Sequence, residues 1–295
     1  MTRIVRTVAD LRSVVAQWHD SGDRVAVVPT MGALHDGHMA LVQAARDMAE
    51  RVIVSVFVNP KQFNDANDLA KYPRDEEADF KRLSAGGADL MYAPDAGEIY
   101  PDGFVTKVSV SGLSEGLCGA HRPGHFDGVA TVVAKLLLQT RADVALFGEK
   151  DYQQLAIIRR LVRDLDIEVE VVGVSTVREP DGLALSSRNV RLGENARKIA
   201  PSLAAALMTA ARNIEAGQEV SQAIAEARQA VLAAGYAEVE YLELRDSDTL
   251  ERVSKLTKPA RLLVAAWLDG VRLIDNVALT PEAKPPMSRP NVDGK

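Results

Sequence analysis

Short, nearly continuous apolar runs alternate along this chain with stretches of helical periodicity. The runs of strand length are Arg24–Pro29, Arg51–Val58, Ala88–Ala93, Thr106–Val110, Val144–Phe147 and Glu168–Val174. Between them, helices are predicted from about His38 to Met48 and over Asp75–Ala85, Gly128–Gln139 and Tyr152–Leu165. A strand that is apolar at successive positions suits a parallel sheet buried on both faces. The alternation therefore predicts an α/β fold with a doubly wound parallel sheet.

The pattern changes after about residue 175. Two alanine-rich helical segments, Glu194–Ala216 and Val220–Ala234, precede strands predicted at Glu238–Leu244, Ala260–Leu268 and Val271–Val277. This succession predicts a second, smaller α+β domain over residues 176–280, after a first domain over residues 1–175. The tail Pro281–Lys295 carries four prolines and is predicted to be disordered.

Composition excludes several classes of function. The 295 residues include 35 basic and 41 acidic side chains, a net charge of −6, which argues against nucleic acid as a partner. The single cysteine, Cys118, excludes an intrachain disulfide framework and a cysteine-based zinc cluster. No apolar run approaches the ~20 residues of a membrane span, and the start lacks the apolar core of a signal peptide. We expect a cytoplasmic protein without a membrane partner.

The turn after the first long strand is the strongest candidate for chemistry. In the segment Met31–His38, His35 and His38 are three residues apart, with Gly37 between them and Gly32 before them. Glycine permits close backbone approach, and the start of a helix offers unpaired N–H groups with partial positive charge. Two imidazoles at this spacing can face one phosphate group. The alternative is a polar turn with two solvent-exposed histidines.

Polar residues also follow two other predicted strands. Asn59 and Gln62 come after the second strand, and Lys150 follows Val144–Phe147, with Gln154 one helical turn further on. Ligands of open α/β sheets lie beyond the carboxyl ends of the strands. These side chains are therefore candidates for hydrogen bonding a ligand and for neutralising phosphate charge. Taken alone, each segment also fits an ordinary solvated turn.

Several further segments have two interpretations. Ser186–Arg188 combine hydroxyls with a cation that can bind a polyphosphate, or they cap the helix that begins near Glu194. Arg122 can meet a carboxylate, while His125 also fits a structural histidine. The acidic side chains within residues 75–79 have spacing compatible with a metal, but a solvated helix surface is the favoured interpretation. The sequence contains neither a P-loop nor Gly-x-Gly-x-x-Gly, which disfavours kinases and NAD-dependent dehydrogenases.

Together these segments resemble the pantothenate synthetase (pantoate–β-alanine ligase) family. That family belongs to the nucleotidyltransferase superfamily that is marked by a His-x-Gly-His turn and related to class I aminoacyl-tRNA synthetases. The resemblance extends to about residue 280, in the family's order and spacing, over Pro29–His38, Phe57–Phe63, Tyr72–Arg74, Glu98–Gly103, Arg122–Gly128, Phe147–Leu155 and Asp181–Asn189. It implies a Rossmann-like sheet, a smaller C-terminal domain that carries the Ser-Ser-Arg loop, and a homodimer.

The reaction implied by the resemblance is the condensation of (R)-pantoate with β-alanine, driven by ATP. The pantoate carboxylate attacks the α-phosphate to form pantoyl adenylate, and the amine of β-alanine then displaces AMP. The products are pantothenate, AMP and pyrophosphate. Magnesium is expected on the phosphates, but the sequence identifies no protein ligand for it.

The resemblance also implies roles for individual residues. His38, the family's proposed proton donor, would act with His35 and Lys150 on the α-phosphate and the leaving pyrophosphate. Pantoate would be held by Gln62 and Gln154, with Gln62 also near β-alanine. Asn59 and Arg122 would be neighbours of these substrates. Besides the three catalytic residues, ATP would contact Met31, Gly32, Ala33, Leu34, Asp36, Gly37, Gly148, Glu149, Asp151, Val177, Leu185, Ser186, Ser187 and Arg188.

The chain departs from the family at two positions. Cys118 stands where the family commonly has glutamate, and Lys61 replaces a usually apolar residue beside Gln62. Two alternatives stay open: another nucleotidyltransferase that transfers AMP or CMP to a different small acid or phosphate, and a catalytically silent nucleotide-binding regulator. A tRNA synthetase is disfavoured by the acidic balance and by the lack of a segment for an anticodon domain.

Overall fold

Strands and helices alternate through the first part of the chain in the computed structural model, which describes residues 2–64 and 66–281. Strands β1 to β6 are Arg3–Val5, Val25–Thr30, Arg51–Val56, Leu90–Tyr92, Val144–Gly148 and Glu170–Val174. Helices α1 to α8 are Val8–Asp20, Asp36–Arg46, Ala66–Ala70, Glu76–Gly86, Ala96–Ile99, Cys118–His121, His125–Thr140 and Tyr152–Asp164. Single turns of 3₁₀ helix occur at Pro60–Gln62, Glu149–Asp151 and Asn189–Arg191.

The first six strands form one parallel sheet in the order β1-β4-β3-β2-β5-β6. The chain moves outward from β2 through β3 to β4, and then crosses over to β5 and β6 on the other side. The direction of winding therefore reverses between β2 and β5. In doubly wound sheets the crevice at such a switch point, beyond the carboxyl ends of the strands, is the usual place for a ligand.

Both faces of this sheet are buried, as the continuous apolar runs predict. Alternate residues of β2 serve different faces: Val25 and Val27 pack with α1, α7 and α8, whereas Ala26 and Val28 pack with α2 and α4. This alternation follows from the pleat of a strand, which sends successive side chains to opposite sides. The sheet and its two helical layers confirm the predicted doubly wound α/β fold.

The C-terminal part contains a smaller antiparallel sheet with its own core. Its helices α9, α10 and α11 are Glu194–Ile199, Ser202–Glu215 and Val220–Ala233, and its strands β7, β8 and β9 are Glu238–Asp246, Ala260–Leu268 and Val271–Leu279. Helices and strands share one apolar cluster, which confirms the smaller α+β unit. The boundary at residue 175 stays a prediction. Of the tail predicted to be disordered, residues 282–295 lie outside the described residues.

Two predicted elements are wrong. Thr106–Val110 is not a strand: the backbone N–H of Val108 donates to Oγ1 of Thr131 at 3.0 Å instead of joining a ladder. The predicted helix Glu194–Ala216 is interrupted between α9 and α10 at Pro201. Proline has no N–H to donate, so the helical hydrogen-bond pattern is broken at Pro201 and a second helix begins at Ser202.

Candidate active site

A cavity of about 500 Å³ opens at the switch point of the large sheet, with the C-terminal unit forming its other wall. It contains residues from the ends of β2, β3 and β5 and from the loop that precedes α9. The predicted site residues that line it are Met31, His35, Gly37, His38, Asn59, Gln62, Arg122, Gly148, Lys150, Asp151, Gln154, Val177, Leu185, Ser186, Ser187 and Arg188. Segments more than 150 positions apart in sequence thus meet around one space.

The other predicted ATP contacts are not among the residues lining this cavity. They are Gly32, Ala33, Leu34, Asp36 and Glu149. Leu34 is buried in the core against α2, and Asp36 forms an exposed ion pair with Arg82. Glu149 pairs instead with Arg261 of β8, at 2.8 Å.

His35 and His38 lie against each other at the start of α2, with ring centroids 4.0 Å apart and ring planes tilted by 35°. Nδ1 of His35 accepts a hydrogen bond from the backbone N–H of Gly37 at 3.1 Å, and Nδ1 of His38 accepts from the N–H of His35 at 3.3 Å. Each imidazole therefore carries its proton on Nε2. Gly37 is required here, because a Cβ atom would lie 2.9 Å from the His35 ring.

Both rings are neutral near pH 7. Burial lowers the pKa of His35 to about 4, and the positive charge of Lys150 adds to this shift. Burial lowers the pKa of His38 to about 3, with His35 itself contributing. Neutral rings whose Nδ1 atoms are engaged present two Nε2–H donors, which is the arrangement needed to hydrogen-bond phosphate oxygens.

The loop between β2 and α2 is held by Asp79 of α4. Its carboxylate accepts hydrogen bonds from the backbone N–H groups of Ala33 at 2.9 Å and of Leu34 at 2.8 Å. Asp79 is 3% exposed, and burial raises the pKa of its carboxyl group. The expectation of a solvated helix surface is therefore wrong for this residue. Asp79 and this loop are more than 40 positions apart in the sequence, so no local pattern predicts their contact.

The turn that carries Asn59 and Gln62 is fixed by α7. Nδ2 of Asn59 donates to Oε1 of Gln62 at 2.8 Å and to the carbonyl oxygen of Gly128 at 3.1 Å. A Cβ atom on Gly128 would lie 2.2 Å from the Lys61 carbonyl oxygen, so glycine is needed for this close approach. Gln62 Nε2 points to the sulfur of Met31, at 3.2 Å. The predicted amide pair is thereby placed beside the histidine-bearing loop.

His125 links this turn to Arg122. Its Nδ1 lies 2.7 Å from the carbonyl oxygen of Gln62, which can only accept, so Nδ1 carries the proton. Nε2 then accepts from Nη1 of Arg122 at 3.1 Å, and Nη2 of Arg122 donates to the same Gln62 carbonyl at 3.2 Å. Burial, reinforced by the charge of Arg122, lowers the pKa of His125 to about 3.

The Ser186–Arg188 loop contacts two residues that sequence reasoning did not single out as site residues. Arg188 pairs with Asp68 at 3.0 Å and lies over the Tyr72 ring. The Tyr72 hydroxyl is 3.3 Å from Oγ of Ser187. Tyr72 lies in one of the segments that carry the family resemblance, which was the available signal, whereas Asp68 had none.

The two departures from the family occupy different environments. Sγ of Cys118 lies 3.1 Å from the Tyr241 hydroxyl and 3.4 Å from Nη1 of Arg272, and Arg272 forms its ion pair with Glu240 at 2.6 Å. An acid at position 118 is thus replaced by a thiol beside an arginine that already has a carboxylate partner. Lys61 packs over the Tyr100 ring, with Nζ 4.8 Å from its centroid.

Fold and site together define a nucleotide-binding protein of the doubly wound α/β class, with two neutral imidazoles at the start of a helix and a cavity at the switch point. None of the helices in the described part of the chain is long and apolar enough to cross a membrane.

Comparison with known proteins identifies the family within that class. The family model for pantoate-beta-alanine ligase matches residues 3–278. A pantothenate synthetase of Chelativorans sp. (strain BNC1) is 62% identical over 282 residues, which cover 96% of this chain and 98% of the relative. One from Cereibacter sphaeroides is 58% identical and covers 94% of this chain and 99% of the relative. The chain belongs to the pantoate–beta-alanine ligase family.

Solved structures agree in fold. Pantothenate synthetase from Thermus thermophilus superposes with a TM-score of 0.90 at 48% identity, covering 95% of this chain and 100% of that one. Pantoate-beta-alanine ligase from Francisella tularensis, in complex with beta-gamma ATP and beta-alanine, gives a TM-score of 0.80 at 33% identity, covering 94% and 97%.

Proposed function

We propose that this protein condenses (R)-pantoate with β-alanine at the expense of ATP, forming pantothenate, AMP and pyrophosphate through pantoyl adenylate. The observation that carries the proposal is the neutral His35–His38 pair in one cavity with Lys150, Arg188 and Gln62. Membership of the pantoate–beta-alanine ligase family supports it. The ATP and β-alanine named for the Francisella tularensis enzyme support the same two substrates here.

In this proposal the phosphates of ATP lie against the start of α2. The Nε2–H groups of His35 and His38 donate to the α-phosphate and the leaving pyrophosphate, while Lys150 and Arg188 neutralise the charge that develops there. Pantoate attack on the α-phosphate forms the acyl–phosphate bond as the bond to pyrophosphate breaks. A covalent nucleophile on the enzyme is not required, because positioning and electrostatics supply the catalysis.

Gln62 and Gln154 are proposed to hold pantoate through hydrogen bonds, with Gln62 also near β-alanine. Both line the cavity, and the Asn59 contact orients the Gln62 amide. Asn59 itself accepts from the Tyr100 hydroxyl at 2.8 Å, which fixes its own amide. Arg122 lines the same wall and is proposed to assist carboxylate binding.

Magnesium is proposed to enter as the ion of MgATP. Mg²⁺ in such sites is commonly held by substrate phosphates with one or two carboxylates. Among the described residues there is no group of three or more His, Cys, Asp and Glu side chains that could hold a metal. We therefore propose that the phosphate oxygens of ATP supply most of the ligands of the Mg²⁺ ion. The ion would offset their negative charge.

A homodimer is proposed from the family resemblance. A cytoplasmic location is proposed because the single cysteine, Cys118, is free. Light scattering or sedimentation tests the assembly: a particle of twice the 31.9 kDa chain mass is expected, and a monomer mass at working concentrations would refute it.

The deciding experiment is AMP formation from ATP and Mg²⁺ with pantoate, with and without β-alanine. Catalytic release of AMP that requires both pantoate and β-alanine is expected, with ATP–pyrophosphate exchange dependent on pantoate alone. ATP binding without AMP under any combination would instead support a silent nucleotide-binding regulator. Release of AMP with a different small acid and none with pantoate would support another nucleotidyltransferase.

A further inference from the structure

The backbone that carries Lys150 is held by a strand of the C-terminal sheet. Nδ2 of Asn276, on β9, donates to the carbonyl oxygen of Glu149 at 2.9 Å and to that of Lys150 at 3.0 Å. Asn276 is 3% exposed, so these hydrogen bonds are shielded from water. Both donors of its amide therefore act on the single 3₁₀ turn, Glu149–Asp151, from which the lysine extends.

Arg261 of the neighbouring strand completes this contact. Its Nη1 donates to Oδ1 of Asn276 at 2.8 Å, which fixes the orientation of the amide. Its Nη2 pairs with Glu149 at 2.8 Å, and its guanidinium lies 4.0 Å from the centroid of the Tyr152 ring. Arg261 and Asn276 together thus hold Glu149, the backbone of Lys150 and the Tyr152 ring, and we call this pair the β8–β9 clamp.

A lysine needs such support more than a histidine does. Its ammonium lies at the end of a flexible four-carbon stem, so its position depends on the backbone from which that stem starts. The 3₁₀ turn has no side-chain cap of its own. A displacement of about 1 Å at a catalytic group is enough to slow a reaction about 100-fold.

We infer that Asn276 is a positioning residue for the reaction, acting through Lys150 from the C-terminal unit. This inference rests on the phosphate-binding role proposed for Lys150. It goes beyond that role by making the antiparallel sheet part of the active-site scaffold. The contrasting possibility is that Asn276 only satisfies buried carbonyl groups and contributes to stability.

A double-mutant cycle separates these possibilities. We would measure the rate and the ATP dependence of adenylate formation for the full-length wild type, Asn276→Ala, Lys150→Ala and the double variant. Asn276→Ala is expected to slow the step about 10- to 100-fold in the wild-type background. With Lys150 already removed, the same change is expected to slow it less than about twofold, because interacting residues are not additive.

Tyr236→Phe is the matched control for stability. It removes a buried hydrogen bond of 2.8 Å to the Ala200 carbonyl in the same C-terminal core, and neither Tyr236 nor Ala200 lines the cavity. A lower thermal midpoint with an unchanged rate is expected. If Asn276→Ala does not fold, Asn276→Ser, which keeps one hydroxyl donor, replaces it in the cycle.

Equal losses from Asn276→Ala with and without Lys150 would overturn the inference, as would an unchanged rate in a folded Asn276 variant. A Lys150→Ala variant that adenylates at the wild-type rate would instead refute the role proposed for Lys150. The failure of this inference and the failure of the proposed site are thereby distinguished.

Discussion

At the scale of single residues, the site depends on imidazoles that are neutral before ATP arrives. Backbone N–H groups occupy Nδ1 of His35 and His38, so each ring has one defined tautomer. Burial keeps protons off these rings well below pH 7. A polyphosphate placed beside them would raise both pKa values, since a nearby negative charge favours the cationic form. The two neutral rings can therefore donate hydrogen bonds to the phosphate, and they can take up protons as negative charge develops on it.

Replacing His38 by alanine is expected to reduce the rate of adenylate formation about 10²- to 10³-fold, the usual loss for one donor to a developing oxyanion. His38→Gln is the matched variant, because its amide N–H can replace the Nε2–H donor, and it is expected to retain more activity. Rapid-quench measurement of adenylate checks the rates, and circular dichroism checks the fold. Near-wild-type turnover in His38→Ala would remove this histidine from the mechanism.

Two adjacent glutamines make an internal comparison for pantoate binding. Gln154 lines the cavity, whereas Gln153 is buried and bonds the carbonyl oxygens of Leu113 and Gly116. Gln154→Ala is expected to raise the KM for pantoate about tenfold, from the loss of a hydrogen bond to a charged group, with little change in the KM for ATP. Gln153→Ala is expected to lower the unfolding midpoint instead. Steady-state kinetics with an unchanged pantoate KM in Gln154→Ala would contradict the pocket assignment.

At the scale of elements, the loop between β2 and α2 depends on the neighbouring helix α4. Asp79 supplies both carboxylate oxygens to two successive N–H groups of that loop, and Gly32 and Ala33 both have positive φ angles, of 78° and 50°. Positive φ is unfavourable for alanine, so the two hydrogen bonds offset local strain. The start of α2 is therefore placed by a contact from α4, a helix on the same face of the sheet, to the loop that precedes it.

Asp79→Asn is expected to raise the KM for ATP about tenfold, because an asparagine offers one acceptor and turns an N–H₂ group toward a backbone donor, which leaves a buried group unpaired. Glu77→Gln is the control on the same helix. Glu77 forms an exposed i,i+4 pair with Lys81, and such pairs contribute little. Kinetics and urea unfolding of both variants test this. Equal ATP kinetics in Asp79→Asn and Glu77→Gln would show that the loop does not need the carboxylate.

At the scale of the whole molecule, a buried histidine couples stability to pH. His125 is 7% exposed, and its pKa is about 3 in the folded protein against about 6.5 when unfolded. Between these values the unfolded chain binds more protons than the folded one. The free energy of unfolding therefore falls as pH drops below about 6.5. Protonation would also turn Nε2 from an acceptor into a donor facing Arg122.

His125→Asn tests this coupling, because the asparagine amide can still donate to the Gln62 carbonyl but does not titrate. At pH 5 the histidine accounts for a loss of up to about 2 kcal/mol in the wild type relative to pH 7. The free energy of unfolding of the wild type minus that of His125→Asn is expected to decrease by this amount between pH 7 and pH 5. Urea unfolding at pH 7, 6 and 5 measures it. A constant difference would contradict a neutral buried His125.

Much of the fold and part of the site followed from local patterns. The apolar runs Arg24–Pro29 and Arg51–Val58 predicted buried strands because a two-sided parallel sheet leaves no polar face. The His35–His38 spacing predicted a phosphate-facing pair because a helix start places both rings within one turn. By contrast, Thr106–Val110 has the composition of a strand, but the backbone N–H of Val108 donates to the Thr131 side chain of α7, and no local pattern predicts that partner.

The sequence by itself predicted most of the strands and helices in their order along the chain, the smaller second unit and the segments that carry polar groups, because these depend on periodicity and on turn chemistry. Tertiary structure alone decided which groups support the site. Asp79 reaches the loop before α2, His125 holds Gln62, and Asn276 holds the turn of Lys150. Each contact joins residues more than 40 positions apart. Hydrogen bonds depend on distance in space, and only the packed sheet and its helices set that distance.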